Sequence, residues 1–473
     1  MKNITLKSRW FILLIVLTAP LLYVIDIFII NMAISDIQKG VHASNAQVQL
    51  VIAAYLLGSA SFLITGSRTG DYMGRKRVFF WGMFFFTLTS CLCGISQTAT
   101  QLNVTRFLQG VSSSFMVPQS ISFIQVLFTD QKERAKAIGW YGITLSIAAI
   151  IGQILGGYLV STHFMISGWR LIFFINLPAG ILSLWLIQKY LPETDRINNG
   201  GFDYSGAGIL TAALACLIIP LTLGREAGWP LWSIVLIILA GILIVYFISD
   251  QKKKLKLHKY PIIDLELFNI REFNIGLLAV LFHFMLHTAY LLMIVVFLQK
   301  ALHKSAMDCG LYFVLHAVLF MISSVVASKL IVKYGKLVLL FGLLIILIAF
   351  LLQIQLFSTH TSGLCITLLI GIYGLGNGFV LPSLLTAVLK NVPVKFAGTA
   401  AGTFSTFQQT ASALGISILG GVFFYVIGIN PNHPDYFSAF NYGLLANIVC
   451  LAVVAVMLYL LPKNVKDQQP ANK

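Results

Sequence analysis

A single acidic side chain lies deep inside one of the apolar stretches of this chain. Asp26 falls within residues 11–32, a run long enough to cross a hydrocarbon layer about 30 Å thick. A charge at the bilayer centre costs about 2.5–3.5 kcal/mol on insertion scales, so such a residue usually has a function. Burial disfavours the charged form of a carboxyl group. We therefore expect Asp26 to bind and release a proton as its exposure alternates. The alternative is a protonated carboxyl group that makes a structural hydrogen bond.

A buried arginine occupies another apolar run. Arg106, Gln109, Gly110 and Ser113 have the i, i+3, i+4, i+7 spacing of one helical face, and this polar face must point inward. The guanidinium group stays charged even when buried. It either pairs with a carboxylate or binds backbone carbonyl groups as a structural tie. We expect Asp26 and Arg106 to couple proton binding to transport.

A glycine-rich, charged segment joins the second and third apolar runs at residues 66–77. Glycine permits a tight turn, and an aspartate can cap a helix or pair with a nearby arginine. The segment therefore predicts a cytoplasmic gating loop. Its residues are Gly66, Arg68, Gly70, Asp71, Gly74, Arg75 and Lys76.

Small residues line one face of the fifth apolar run. Gly142, Ser146, Ala149, Gly152 and Gly156 follow helical spacing, which allows two helices to pack closely. We expect this face to be a smooth surface on which two halves of the protein rock.

Further polar side chains in the apolar runs are candidates for lining a substrate cavity. His283, His287 and Tyr290 share a helical face, and either cavity lining or structural hydrogen bonding explains them. A metal site is disfavoured because no cysteine or carboxylate lies nearby. The full candidate set is Tyr23, Asn31, Tyr55, Gln109, Ser113, His283, His287, Tyr290, Gln408 and Gln409.

The composition requires a membrane to surround these elements. The chain has 473 residues, 58% hydrophobic and 10% charged, whereas about 25% are charged in soluble domains. We count 14 apolar runs of helical length, which predicts an all-α polytopic membrane protein and excludes a soluble enzyme. Of the 32 lysines and arginines, 26 fall in the loops on the side of the termini. Both termini are therefore expected in the cytoplasm, and the net charge of +16 reports orientation rather than nucleic-acid binding.

An internal repeat organises the predicted helices. Residues 110–118 resemble 374–382, and Gly156-Gly157 resembles Gly420-Gly421, both at an offset of 264 residues. This pattern predicts two six-helix bundles in the same orientation, with two helices inserted between them. The expected domains are residues 1–196, residues 197–260 with the inserted pair and a basic linker, and residues 261–473.

These motifs together resemble the 14-helix drug:proton antiporter-2 family of the major facilitator superfamily. The similar segments are residues 26–33, 54–57, 66–77, 106–110, 152–157, 168–180, 203–206 and 261–268. The resemblance implies the major facilitator fold, with Asp26 protonatable and Arg106 coupled to it. It also implies an antiporter motif at Gly142, Gly152, Gln153, Gly156 and Gly157. Ser67, Tyr72 and Gln153 depart from the usual motif residues.

The expected function is proton-coupled antiport that exports amphipathic small molecules from the cytoplasm or inner leaflet. A proton-coupled uptake symporter is the alternative, as is an exporter of an endogenous metabolite, siderophore or lipid. A membrane enzyme is disfavoured, because the sequence offers no clustered nucleophile and base. The lone membrane acid argues against dications as substrates. We expect a multi-pass protein of the inner membrane that acts as a monomer, with the proton as coupling ion and no cofactor, metal or nucleic acid.

Overall fold

The regular elements of the described part of the chain are helices. The computed structural model describes residues 6–128, 130–162, 167–193, 203–257, 261–263, 265–389, 392–393, 397–429 and 434–461. Within these ranges a short 3-10 helix spans Leu265–Asn269. The α-helices are α1 (Leu6–Gly40), α2 (Asn45–Met73), α3 (Arg75–Ile95), α4 (Ala99–Leu127), α5 (Gln131–Ser161), α6 (Gly168–Phe174), α7 (Asn176–Tyr190), α8 (Tyr204–Glu226), α9 (Leu231–Lys256), α10 (Arg271–Lys300), α11 (Ala306–Tyr334), α12 (Lys336–Leu356), α13 (Gly363–Leu389), α14 (Ala397–Ile429) and α15 (Tyr436–Leu460).

The all-α membrane fold expected from the sequence is confirmed. Thirteen candidate spans of the described residues are long and apolar enough to cross a membrane, and α6 and α7 count there as one span. Helix α4 is not among these candidate spans. Its mean hydropathy is lowered by Arg106 and by several buried glutamine and serine side chains. It nevertheless packs along α2 and α3. With α4 included, the helices account for the 14 predicted crossings.

The predicted repeat relates the two six-helix bundles. Helices α4 and α13 begin at Ala99 and Gly363, 264 residues apart, and each contains a proline at the same place, Pro118 or Pro382. Packing follows the same plan, because α2 lies against α4 as α11 lies against α13, and α1 lies against α5 as α10 lies against α14. The domain boundaries expected near 196 and 260 fall outside the described residues.

The expected loop at residues 66–77 is mostly helix. Helix α2 continues to Met73 and α3 begins at Arg75, so only Gly74 turns the chain, with a φ of +95°. Gly66 and Gly70 have a different use, because a Cβ on either would collide with α4, at the backbone of Ser114 or the side chain of Gln119. The expected tight turn is thus made by Gly74 alone, and the residues before it, which were expected in a loop, continue α2.

The charged residues at this junction bind backbone carbonyl groups. Arg75 donates from Nη1 to the carbonyl oxygen of Ser122 at 3.1 Å, and Lys76 donates from Nζ to that of Gln188 at 3.1 Å. These contacts tie the junction between α2 and α3 to α4 and α7. The side chains of Arg68 and Asp71 lie outside the described part of the structure.

The inserted pair, α8 and α9, joins both bundles. Helix α8 packs against α2 of the first bundle and α14 of the second. Thr222 and Ser417 lie 2.6 Å apart through their hydroxyl oxygens, which adds a hydrogen bond between α8 and α14. The pair is thus in contact with one helix of each bundle.

A polar cluster closes one end of the inserted pair. Lys254 donates to Asp203 Oδ1 at 2.6 Å, and the Gly206 amide donates to the same oxygen at 2.7 Å. Gln251 donates to Asp203 Oδ2 at 2.8 Å and accepts from the Ile262 amide at 2.7 Å. The cluster therefore fixes the start of α8, the end of α9 and the following linker to one another.

Asp203→Asn is expected to lower the thermal stability of the purified protein at pH 7. Burial alone would raise the pKa of Asp203, but the hydrogen bonds from Lys254, Gln251 and the Gly206 amide hold this pKa below its usual value. Its stabilising contribution is therefore full above the unfolded value near 3.9 and is lost as pH falls through the lower folded value. Thermal unfolding in detergent across this pH range measures the difference.

The exposed carboxylate of Glu226 provides the control for this comparison. Glu226→Gln should leave the unfolding temperature unchanged at every pH. An Asp203→Asn protein as stable as the parent at pH 7 would show that the cluster does not stabilise the inserted pair.

Candidate functional site

The carboxylate of Asp26 lies at the middle of α1 and is 1% exposed. Arg106 donates from Nη1 to Asp26 Oδ2 at 2.5 Å. Gln109 donates from Nε2 to Oδ1 at 3.0 Å, and Asn176 donates from Nδ2 to Oδ1 at 3.3 Å. Three polar side chains from α4 and α7 thus converge on one buried acid. The two charges singled out from the sequence form an ion pair.

Arg106 is held on several sides and is fully buried. Its Nε donates to the carbonyl oxygen of Val51 at 3.0 Å, and Nη1 also donates to Gln109 Oε1 at 2.8 Å. Its guanidinium carbon lies 4.3 Å from the centroid of the Tyr55 ring, which is cation–π geometry. Both readings of this arginine from the sequence therefore apply, since it pairs with a carboxylate and also binds a backbone carbonyl. Nη2 has no hydrogen-bond partner.

The remaining polar face of α4 is also buried. Gln109 and Ser113 are both 0% exposed, and Ser113 donates to the carbonyl oxygen of Gly110 at 2.7 Å. A Cβ on Gly110 would collide with the carbonyl oxygen of Tyr55 on α2. The glycine therefore lets α2 approach closely enough for the Tyr55 ring to lie beside Arg106.

Asn176 is a site residue that was not singled out from the sequence. It starts α7 directly after the break at Ile175. Pro178 explains the break, because it lacks the N–H that would bond to the carbonyl of residue 174. Asn176 also donates to Ser90 Oγ at 3.0 Å, which orients its amide. The asparagine-leucine-proline sequence was the available signal, since a proline near a buried asparagine indicates a helix interruption.

Tyr23 and Gln409 meet across the two bundles. The Gln409 amide on α14 donates to the Tyr23 hydroxyl on α1. Both side chains are 8% exposed. Gln408 is half-buried. Asn31 donates to the carbonyl oxygen of Ile27 on its own helix at 3.2 Å.

The histidines of α10 lie inside the second bundle. His283 Nε2 is 2.9 Å from Asn377 Oδ1, and His287 Nδ1 is 2.8 Å from the Tyr373 hydroxyl. The Tyr290 hydroxyl accepts from the Gln353 amide at 2.9 Å. These side chains bond to α12 and α13, which favours structural hydrogen bonding over cavity lining in this conformation. The described residues contain no group of three or more histidine, cysteine or acidic side chains placed to bind a metal.

The small-residue face of α5 packs closely over part of its length. A Cβ on Gly152 would lie 2.9 Å from the carbonyl oxygen of Ile25, and one on Gly156 would lie 2.8 Å from that of Ile29. Both contacts are with α1, so these two glycines allow α1 and α5 to pack closely.

The second bundle meets the same end of α5. A Cβ on Gly157 would lie 2.6 Å from the carbonyl oxygen of Ala306, and one on Gly310 would lie 2.7 Å from that of Gln153. A Cβ on Gly142 would meet nothing within 4 Å. In this structure the close contacts of the small-residue face therefore include Gly152, Gly156 and Gly157 but not Gly142, which is exposed.

Known proteins resemble this chain in sequence and in fold. A family model described as the Major Facilitator Superfamily matches residues 16–201 and 201–416. The chain is 30% identical over 424 residues to a probable actinorhodin transporter of Streptomyces coelicolor, covering 89% of this chain and 73% of that protein. It is 29% identical over 399 residues to the multidrug resistance protein Stp of Mycobacterium tuberculosis, covering 84% of this chain and 73% of that protein.

Solved structures share the helix arrangement. A crystal structure of a bacterial homologue of the human lysosomal transporter Spinster, inward-facing and unoccupied, matches with a TM-score of 0.69 at 16% identity. The match covers 96% of this chain and 97% of that one. At this identity the likeness concerns the fold alone.

Proposed function

The chain belongs to the Major Facilitator Superfamily and is a transporter rather than an enzyme, and we propose that it exports amphipathic small molecules in exchange for protons. The observation that carries this proposal is the ion pair between Asp26 and Arg106, which are 1% and 0% exposed. Removing two charges from water costs several kcal/mol per ion. A purely structural contact at this place would be made more cheaply by apolar side chains.

Proton binding at Asp26 would change the balance of charge in the first bundle. The ionised carboxylate holds Arg106 at 2.5 Å. A neutral carboxyl group keeps its hydrogen bonds from Gln109 and Asn176 but no longer attracts the guanidinium group electrostatically. Arg106 is then held by the Val51 carbonyl and the Tyr55 ring. The two protonation states therefore favour two arrangements, as alternating access requires.

Protons entering the cell would supply the energy for export. One elementary charge moving through the membrane potential releases about 2.3 kcal/mol per 100 mV. The proposed orientation has both termini in the cytoplasm and the protein in the inner membrane, and the 26 lysines and arginines on the side of the termini support it. Because one chain contains both bundles, we propose that it functions as a monomer. We propose the proton as its coupling ion.

The substrate class is proposed from the relatives and from the charge of the site. The relatives are named as an actinorhodin transporter and a multidrug resistance protein, which supports amphipathic compounds. Asp26 is the one acid within the predicted apolar runs, so monocations, neutral compounds and weak acids fit better than dications. The proposed cavity is lined by Tyr23, Asn31, Tyr55, Gln109, Ser113, Gln408 and Gln409, whereas His283, His287 and Tyr290 make structural hydrogen bonds inside the second bundle.

Flux in inverted membrane vesicles tests the direction of transport. A growth-inhibition panel with and without the gene first identifies a compound to which the protein confers tolerance. When the vesicle lumen is acidified, an exporter that exchanges substrate for protons accumulates this compound in the lumen, and a protonophore stops it. A symporter would instead drive the compound out of an acidic lumen, which would contradict the proposal.

A further inference from the structure

The proton-binding pair is connected to the second bundle by consecutive side-chain contacts. The guanidinium carbon of Arg106 lies 4.3 Å from the Tyr55 ring centroid. The rings of Tyr55 and Tyr23 are stacked, with centroids 5.8 Å apart and an angle of 29° between their planes. The Tyr23 hydroxyl accepts a hydrogen bond from Gln409. The series therefore runs from α4 through α2 and α1 to α14, and its last contact crosses between the bundles.

Each side chain in this series is buried, with exposures of 0% for Arg106 and Tyr55 and 8% for Tyr23 and Gln409. Water does not screen electrostatic interactions at such sites, so a change of charge at Asp26 acts strongly on its neighbours. Close packing also means that a displaced ring must move the ring against it. The contacts from Arg106 through Tyr55 to Tyr23 therefore provide a continuous path between Asp26 and the Tyr23 hydroxyl.

Other contacts between the bundles differ in kind. Gly157 and Gly310 allow close packing of α5 against α11. Gln299 donates to the carbonyl oxygen of Met32 at 2.9 Å, which joins α10 to α1 through a backbone acceptor. These contacts can hold the bundles together, but they are not adjacent to the ion pair. The contact between Tyr23 and Gln409 lies three residues along α1 from Asp26.

We propose that the hydrogen bond between Tyr23 and Gln409 transmits proton binding at Asp26 to the movement of the two bundles. This inference rests on the proposed proton coupling. When Asp26 is neutral, Arg106 interacts more strongly with the Tyr55 face, because cation–π attraction no longer competes with the carboxylate. The Tyr55 ring then shifts against Tyr23, and the hydroxyl loses its position opposite Gln409. Tyr23 and Gln409 are positioning residues in this scheme.

Two variants remove this hydrogen bond with little change in shape. Tyr23→Phe removes only the hydroxyl and retains the ring stack, and Gln409→Leu removes the amide. Thr410→Val serves as the control, because Thr410 neighbours Gln409 on α14 and is half-buried. Size-exclusion chromatography and thermal unfolding establish that each variant is folded.

Two readouts separate coupling from folding and from proton binding. Infrared spectroscopy follows the Asp26 carboxyl band, identified by its loss in Asp26→Asn. Spin labels at positions 77 and 337, both exposed, report the distance between the bundles in a background with the six cysteines replaced by alanine. In the parent protein we expect this distance to change with pH together with the carboxyl band.

In Tyr23→Phe and in Gln409→Leu the carboxyl band should still titrate, while the pH-dependent change in distance falls by at least about half. The double variant should be no worse than either single variant, because both remove one interaction. Thr410→Val should behave as the parent. The inference is overturned if both single variants retain the full pH-dependent distance change. A parent protein whose carboxyl band does not titrate would instead overturn the proposed proton coupling.

Discussion

Replacing Asp26 with asparagine is expected to reduce proton-driven export to the level of membranes without the protein. Asparagine has nearly the same size, and its Oδ1 can accept the hydrogen bonds that Gln109 and Asn176 now donate to the carboxylate. It cannot bind or release a proton. The variant should therefore be expressed but unable to exchange substrate for protons, and it should unfold at a lower temperature than the parent because the buried Arg106 has lost its counter-charge. Efflux of a compound identified by the growth panel, energised by a pH gradient in vesicles, measures the effect.

Asp36 on the same helix offers the matched control. Asp36 is half-buried near the C-terminal end of α1. Asp36→Asn therefore makes the same chemical change away from the ion pair. This control should retain the efflux of the parent. Full proton-driven efflux by Asp26→Asn would remove the basis of the proposed mechanism.

Replacing Arg106 with glutamine is expected to destabilise the protein and stop transport. Removing one partner of a buried ion pair costs about 3–5 kcal/mol, because the other charge is left uncompensated. Arg106→Lys should be intermediate, because an ammonium group keeps the charge but cannot reproduce the planar contacts with Val51, Asp26 and Tyr55. Thermal unfolding in detergent measures the stability of both variants.

The ion pair between Arg9 and Glu133 is the natural comparison. Its side chains are 27% and 30% exposed and 3.4 Å apart, and exposed pairs contribute only about 0–1 kcal/mol. Arg9→Gln should therefore change the unfolding temperature little. An Arg106→Gln protein as stable as Arg9→Gln would contradict this prediction, because it would show that loss of the buried ion pair does not destabilise the protein.

The architecture was predictable because it depends on patterns that are local in the sequence. The length of the apolar runs predicted the membrane-spanning helices. The 264-residue offset between matching segments predicted the repeat that relates α4 to α13. The end of α2 was not predicted, because a glycine that packs a helix and a glycine that turns the chain are the same residue type. Gly66 packs against α4, whereas Gly74 has a φ of +95°.

The candidate site was predictable only in part. Asp26 and Arg106 stand out because charges are rare in apolar runs, and they lie together in the structure. Asn176 was missed because a neutral amide at a helix break resembles an ordinary capping residue. Its contact with Asp26 spans 150 positions of sequence, and no local pattern encodes such a pairing. Similarly, helical spacing predicted that Gly142 and Gly156 lie on one face of α5. It does not determine which of the two glycines contacts another helix in a given conformation.

Proton movement driven by substrate tests the central claim most directly. The purified protein is reconstituted into liposomes that contain a pH-sensitive dye, and an outward gradient of an identified substrate is imposed without any pH gradient. Exchange through Asp26 predicts acidification of the lumen as substrate leaves, and no acidification with Asp26→Asn. Substrate efflux without lumen acidification, or equal acidification by Asp26→Asn, would contradict the account.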